Sequence, residues 1–209
     1  QKTNGTIVLN KDGSLKAEVL MKSYGLQYDR KYQIANKNLK DKKSYYKSNV
    51  WNYINNISID NIELKNDKDS VVFKEKISAS IKDYSSFSSD KILFRVNAFN
   101  RNSFTPKRYR NRKLPLKIHR GYKDEDEFVI TLPVGYKIDG RLVEEKKIEN
   151  KFGIYLVSLE KINETKIIYK RTFLIKEGTY PKEDYKDYRA FRRNVSRYDN
   201  LRIALTKIN

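Results

Sequence analysis

Residues 7–22 read IVLNKDGSLKAEVLMK, and this pattern is that of a β-hairpin. Its middle, residues 11–14, is a turn sequence in which Gly13 can adopt the positive φ that a tight hairpin turn requires. From Leu15 to Met21 every second residue is apolar, and a period of two places one face of a strand on a core. The sequence therefore predicts a protein that begins with antiparallel strands.

The two-residue period returns after residue 56 and dominates the rest of the chain. Ile57 and Ile59 alternate, but Ile62 continues in the opposite phase, so we expect a β-bulge near Asp60-Asn61. Glu75 breaks the apolar pattern of the next strand. Further strands are predicted at 71–81, 92–96, 128–132, 137–139, 146–149, 154–159, 167–175 and 201–205.

Three segments show the longer period of a helix. After Gly25 the apolar spacing predicts two short helices, at roughly 26–38 and 42–54, with Asp41 as the N-cap of the second. A C-terminal helix is predicted to open at Pro181, with acidic residues in its first turn and arginines toward its end. Both features suit the helix dipole.

The order of these elements indicates the fold class. It lacks the strict strand–helix alternation of a doubly wound fold. We expect a mainly β protein with a few helices, a β-rich α+β fold of antiparallel, sandwich-like lobes. The composition shifts around residues 100–113, so the first lobe is expected at 1–112, with two helices, and the second at 113–209, with the C-terminal helix. Whether the lobes form one continuous sandwich or two domains stays open.

The composition excludes several classes of site. The chain has 209 residues, no cysteine and a single histidine, His119. Disulfide scaffolds, cysteine-ligated metals, a cysteine nucleophile and multi-histidine metal sites are therefore excluded. The longest apolar runs are too short for a transmembrane helix or a signal-peptide core. Because residue 1 is Gln, we expect an internal or trimmed fragment of a longer protein.

The charge is strongly positive. Forty-five Lys and Arg against 26 Asp and Glu give a net charge of +19. Such a charge attracts anionic partners, although a chain rich in Lys, Asn, Ile and Tyr is also typical of AT-rich coding sequence. Two basic clusters are candidate anion-binding residues, and both readings of the charge stay open. The candidates are Lys107, Arg108, Arg110, Arg112, Lys113, Arg189, Arg192, Arg193 and Arg197.

No catalytic, metal or cofactor site can be assembled from the sequence. His119 precedes an acidic run, residues 124–127, and an enzyme that pairs His119 with these acids is a weaker alternative. We interpret His119 as a surface residue and the acidic run as a charged turn. The run lacks the spacing of a calcium loop, and neither a nucleophile elbow nor a phosphate-binding glycine loop is present.

A series of short motifs carries a family resemblance. In the first lobe these are residues 12–15, and Gly25 followed by Arg30. In the second lobe they are residues 112–116, 130–136, 150–155, 168–171, 178–185 and 188–191. Their order resembles the C-terminal β-rich region, of unknown function, in exported bacterial transglutaminase-like proteins.

The resemblance implies a role but no chemistry for this chain. The family's catalytic core uses a Cys-His-Asp arrangement, and without cysteine no catalytic residue can be assigned here. We therefore expect a non-catalytic accessory region, without a cofactor, that packs on or docks the core of the same parent chain. The resemblance also implies an exported, periplasmic or cell-surface location. The alternative is a module that binds an anionic polymer, such as an acidic glycan, the cell envelope or nucleic acid. Another envelope protein is a further possible partner.

Overall fold

A computed structural model of the protein describes residues 1–29 and 31–208. Arg30, which contributed to the family resemblance, lies outside these residues. The strands are β1 (Lys2–Leu9), β2 (Leu15–Tyr24), β3 (Ile57–Asp67), β4 (Val72–Ile81), β5 (Ser86–Ser88), β6 (Lys91–Arg95), β7 (Leu116–Ile118), β8 (Tyr122–Thr131), β9 (Tyr136–Asp139), β10 (Lys146–Asn150), β11 (Gly153–Asn163), β12 (Lys166–Ile175), β13 (Gly178–Tyr180) and β14 (Arg202–Lys207). The α-helices are α1 (Leu26–Asp29), α2 (Leu39–Tyr45) and α3 (Tyr185–Asp199).

Eight of the strands form one large sheet in the order β10-β11-β12-β8-β1-β2-β4-β3. The predicted mainly β fold class with a C-terminal helix is confirmed. Neighbouring strands are antiparallel except β1 and β8, which are parallel and pair Lys2–Val8 with Glu125–Thr131. This parallel pair was not predicted, because it joins segments that are distant in sequence. The remaining strands form a four-stranded sheet, β5-β6-β14-β9, and the pair β13-β7.

The large sheet is covered on one face by the rest of the described structure. Its inward residues, those of α3 and those of the four-stranded sheet form one hydrophobic core. Phe99 links two parts of this core, since its ring lies 5.0 Å from that of Trp51 and 5.9 Å from that of Phe128. Phe191 of α3 lies 6.3 Å from Phe173. The large sheet therefore draws strands from both predicted lobes, while the division into 1–112 and 113–209 stays a prediction.

The acidic run at 124–127 lies inside β8, so its interpretation as a charged turn is wrong. Asp124 and Asp126 occupy the buried face of the strand, and Glu125 and Glu127 face outward. The run follows the same two-residue alternation as the apolar residues that come after it. A run of charged residues by itself predicts a turn. Its burial in a strand depends on partners that are distant in sequence, which the local pattern does not show.

The predicted helices differ from the observed ones at their ends. The segment predicted as 26–38 divides into α1 and a 3₁₀ turn at Tyr32–Asn36. The second helix is α2, extended by a π turn at Tyr46–Val50. Its N-cap is Asn38 rather than Asp41, because the Asn38 side chain accepts a hydrogen bond of 2.9 Å from the backbone N–H of Asp41.

The predicted β-bulge in β3 is present. The register of β3 against β4 shifts between Ile59 and Asn61, which confirms the prediction.

Among the described residues, we find no helix with the length and apolar character needed to cross a bilayer.

Gly153 is required where β11 begins. A Cβ placed on it would lie 2.0 Å from the backbone oxygen of Leu174 on β12, closer than any side chain tolerates. The strands could accept a side chain there only by moving apart.

We predict that Gly153→Ala lowers the free energy of unfolding by about 1–3 kcal/mol, as for an overpacked core. Gly178→Ala is the control, since the atoms nearest to its Cβ would be those at the ring end of Tyr180, a side chain rather than a backbone. Urea denaturation measures both. Equal losses for the two variants would contradict the close approach at Gly153.

Candidate functional site

Residues 97–115 form a segment without regular structure that lies along α3, and we call it the strap. The strap begins near the C-terminus of the helix, where the backbone N–H of Asn102 donates to Asp199 at 2.8 Å. Farther along, Arg189 Nε donates to the carbonyl of Pro106 at 2.9 Å. Tyr185 at the helix N-terminus donates to the carbonyl of Lys107 at 2.7 Å. Contacts to helix residues therefore fix the strap along the whole length of α3.

The sequence of α3 explains both of its faces. Tyr188, Phe191 and Val195 recur at helical spacing and are buried in the core. The opposite face carries basic residues, and Glu183 and Asp184 precede the helix, where they suit its dipole. The predicted C-terminal helix is thus present with its apolar face inward.

The strap and the basic face of α3 enclose a cavity of about 1050 Å³, which we call the basic groove. Five of the nine predicted anion-binding residues line it. The lining residues are Arg108, Tyr109, Arg110, Arg112, Lys182, Glu183, Tyr185, Lys186, Arg189, Ala190 and Arg193. Two clusters that are about 80 residues apart in sequence therefore meet in one place.

The other four predicted residues lie outside the lining of the groove. Arg192 is buried, donates to Asn102 Oδ1 at 2.9 Å and packs 4.8 Å over the ring of Phe104. It therefore joins the strap to the helix. Three of the four are exposed without lining the groove: Lys107, Lys113 and Arg197.

Two arginines of the groove are held in place by backbone and ring contacts. Arg112 donates to the carbonyl of Pro115 at 3.0 Å, and its guanidinium lies 4.3 Å above the ring of Tyr185. Arg189 is held by Pro106. These contacts use only part of each guanidinium, so the remaining N–H groups can still bind a ligand.

The groove keeps most of its positive charge. Across residues 1–29 and 31–208, no ion pair joins a carboxylate to any of its five arginines. Its one acidic lining residue, Glu183, lies 3.9 Å from Lys182. Unneutralised arginines around a cavity attract anions.

A second polar site, which sequence reasoning missed, is buried in the core at the C-terminal end of α3. Arg171 on β12 contacts Asp126 on β8 at 2.5 Å and Asp199 at the end of α3 at 2.9 Å. All three side chains are fully buried, and we call them the arginine cluster. Its signal in the sequence is that Arg171 and Asp126 each occupy an inward position of an alternating strand.

The carboxylates of the arginine cluster have further partners. Asp126 accepts from the Asn100 side chain at 2.9 Å. Asp199 accepts from Tyr155 at 2.7 Å and from the Asn102 backbone. Because one guanidinium faces two carboxylates, these donors offset the remaining negative charge.

The pKa values of the arginine cluster reflect its burial. Desolvation raises the pKa of Asp126 and of Asp199 above the usual 3.8, and Arg171 opposes this rise. Desolvation lowers the pKa of Arg171, but the two carboxylates outweigh it and the pKa lies well above its usual value. Arg171 is therefore a permanent cation at the centre of the protein.

Glu75 forms another buried contact. Its carboxylate pairs with Lys31 at 2.6 Å and accepts from Tyr46 at 2.5 Å. Burial, and then the charge of Glu75, raise the pKa of Tyr46. Glu75 breaks the apolar pattern of β4 but keeps its alternation, and it ties the segment after β2 to the sheet.

His119, the alternative catalytic residue, is exposed. Within the described parts of the chain, no group of three or more His, Cys, Asp or Glu side chains is arranged to hold a metal ion.

Comparisons with known proteins give one family and one distant structure. Residues 90–205, more than half of the chain, match the family described as "Domain of Unknown Function with solved-structure structure (DUF3858)". The chain is also similar to a crystal structure of a "putative protease" from Parabacteroides distasonis, with 18% identity and a TM-score of 0.35. That similarity covers 43% of this chain and 19% of the other, so this chain spans about a fifth of that protein's length. A comparison with curated proteins finds no match. The expected region of unknown function is confirmed, and the link to transglutaminase-like proteins stays a prediction.

We predict that Arg171→Met lowers the free energy of unfolding by about 3–5 kcal/mol, because it leaves two buried carboxylates without their cation. Asp126→Asn keeps a one-to-one pair with Asp199 and should cost only about 1–2 kcal/mol. Urea denaturation of both variants measures the difference. A loss from Asp126→Asn as large as that from Arg171→Met would contradict the proposed charge balance.

Proposed function

We propose a role for this chain on one premise: it belongs to the DUF3858 family. The chain is a non-catalytic accessory region of an exported bacterial protein, located in the periplasm or at the cell surface. It packs on, or docks, the transglutaminase-like core of the same parent chain.

The outer face of the large sheet carries this proposal. Val8 and Leu20 lie on that face with 42% and 46% of their surface exposed. Val129 pairs with Ile168 on the neighbouring strand, whereas Val8 lies between Thr131 and Lys16 and Leu20 lies between Asn4 and Lys76, so apolar and polar residues alternate across this face. Among the described residues, no layer covers this side. A broad exposed sheet face of mixed apolar and polar residues is suited to packing against another domain of the same chain, since such interfaces are more polar than obligate ones.

The use of the buried polar groups supports a non-catalytic role. Arg171, Asp126 and Asp199 bind one another and the strap, and Glu75 binds Lys31 and Tyr46. The side chains of Arg171, of the two aspartates and of Glu75 are fully buried, and they hold elements of the fold together. Amidase, protease or acyltransferase activity of the isolated chain would contradict this role.

We predict that Val8→Lys and Ile168→Lys each weaken binding to the separately expressed core of the parent protein by at least tenfold. The physical reason is that a charge in a buried interface is costly. Ile162→Lys is the matched control, because Ile162 lies in the β11–β12 hairpin with 51% of its surface exposed. Calorimetric titration measures the affinities. Equal binding by all three variants would show that the sheet face is not the contact.

The basic groove supports a second candidate function, the binding of an anionic polymer. Five arginines that have no carboxylate partner within the described part of the chain line one cavity, and the net charge of the chain is +19. Polyanions bind such surfaces mainly by releasing counterions, so their affinity depends steeply on salt.

We predict that a single-stranded oligonucleotide or an alginate oligosaccharide loses affinity as salt rises from 50 to 200 mM. The loss should be about 100-fold for five phosphate contacts on a single strand. Charge reversal at Arg108, Arg110 and Arg112 should reduce both the affinity and the salt dependence. Fluorescence anisotropy measures both, and unchanged binding by the reversed variant would rule out the groove as the site.

A further inference from the structure

We propose that the basic groove binds an extended acidic polypeptide segment whose Asp or Glu residues occupy alternate positions. This inference rests on the second candidate function, since it requires the groove to bind anions. It is independent of packing through the sheet face.

The cations form two facing rows. On the helix side, Lys186, Arg189 and Arg193 share one face over about 10 Å, at 1.5 Å per residue. On the strap side, the arginines that line the groove recur at every second position, Arg108, Arg110 and Arg112, and Tyr109 lines it between the first two. An extended peptide directs every second side chain to one side, so three alternate carboxylates span about 13 Å. Alternate carboxylates would therefore follow the same two-residue period as the strap arginines and cover the length of the helix row.

The arginines of the groove suit carboxylates in geometry. A guanidinium donates two parallel hydrogen bonds to a carboxylate, and this pair is stronger than a neutral hydrogen bond. Arg112 and Arg189 are already oriented by the carbonyls of Pro115 and Pro106. Their fixed positions reduce the conformational entropy that binding would remove.

The strap also offers backbone groups to a peptide. Among the described residues, no backbone N–H of residues 107–112 donates to another residue. A peptide that lies along the strap can place its carbonyls against these donors while its carboxylates reach the arginines. Backbone hydrogen bonds of this kind give affinity to extended peptides, and side chains at alternate positions give specificity.

The aromatic residues of the groove disfavour single-stranded nucleic acid. Tyr185 is buried, and the Arg112 guanidinium covers its ring at 4.3 Å. Tyr109 is thus left as the ring available for stacking, and it lies 5.6 Å from Tyr185. Sites for single strands stack successive bases on several rings. The groove supplies charge and hydrogen-bond donors instead.

The test measures the anisotropy of labelled probes with the full chain. The first probe alternates glutamate and serine, with six residues of each. The second has the same composition with its glutamates in one block, and oligothymidylate and alginate with six charges are the rival probes. We expect the alternating peptide to bind at least tenfold more tightly than the other three.

Matched variants locate the site. Arg108→Glu, Arg110→Glu and Arg193→Glu in one chain should lower the affinity for the alternating peptide at least tenfold. None of these side chains makes a hydrogen bond or ion pair within the described residues. The control reverses three exposed lysines near α2 and changes the net charge equally; it should alter affinity less than twofold. The lysines are Lys37, Lys40 and Lys47. If charge reversal disturbs folding, the same three arginines changed to Gln provide the measurement.

Four other results of these binding measurements would each overturn at least one of the claims. Equal or tighter binding of oligothymidylate or alginate would overturn the peptide ligand and leave the anionic-polymer function in place. Equal binding of the blocked peptide would overturn the alternating spacing. Absence of binding by every probe would overturn both this inference and the second candidate function. Equal loss in the lysine control would show that binding follows net charge alone and would overturn the groove.

Discussion

The pairing of Arg171 with Asp126 and Asp199 is the contact on which the rest of the structure depends. It joins two strands of the large sheet to the end of α3, and all three side chains are fully buried. A buried guanidinium is tolerated only when its charge and its donors are satisfied, so these elements must come together as a set. The same constraint explains why Asp126 lies at an inward position of β8.

The arginine cluster also determines where the strap lies. Asp199 binds the backbone N–H of Asn102, and Asp126 binds the side chain of Asn100, so the start of the strap is attached directly to the cluster. From there the strap follows the helix to Tyr185, and the groove is the space that this path leaves. A buried ion pair therefore positions an exposed row of arginines. The interior and the candidate binding surface are connected in this way.

Local features of the fold could be predicted from the sequence, whereas long-range ones could not. The first hairpin, the bulge after Ile59 and the helix after Pro181 depend on neighbouring residues, and each is present. The parallel pairing of β1 with β8 and the burial of Asp126 depend on distant partners. Both basic clusters of the groove were recognised, but their meeting depends on the path of the strap. Helical spacing places Arg192 on the inward face with Tyr188 and Val195, whereas its contact with Asn102 depends on a partner that is distant in sequence.

The central claim is that the arginine cluster holds the strap on α3, and native-state hydrogen exchange of the Asp199→Asn variant tests it most directly. The account predicts that exchange becomes faster at the hydrogen-bonded amides of the strap, which are those of Asn100, Arg101, Asn102 and Phe104, while amides of β11 and β12 stay protected. Asn at this position loses the charge that orders the strap but keeps the size of the side chain. Unchanged exchange in the strap, or a uniform increase across the whole protein, would contradict the claim.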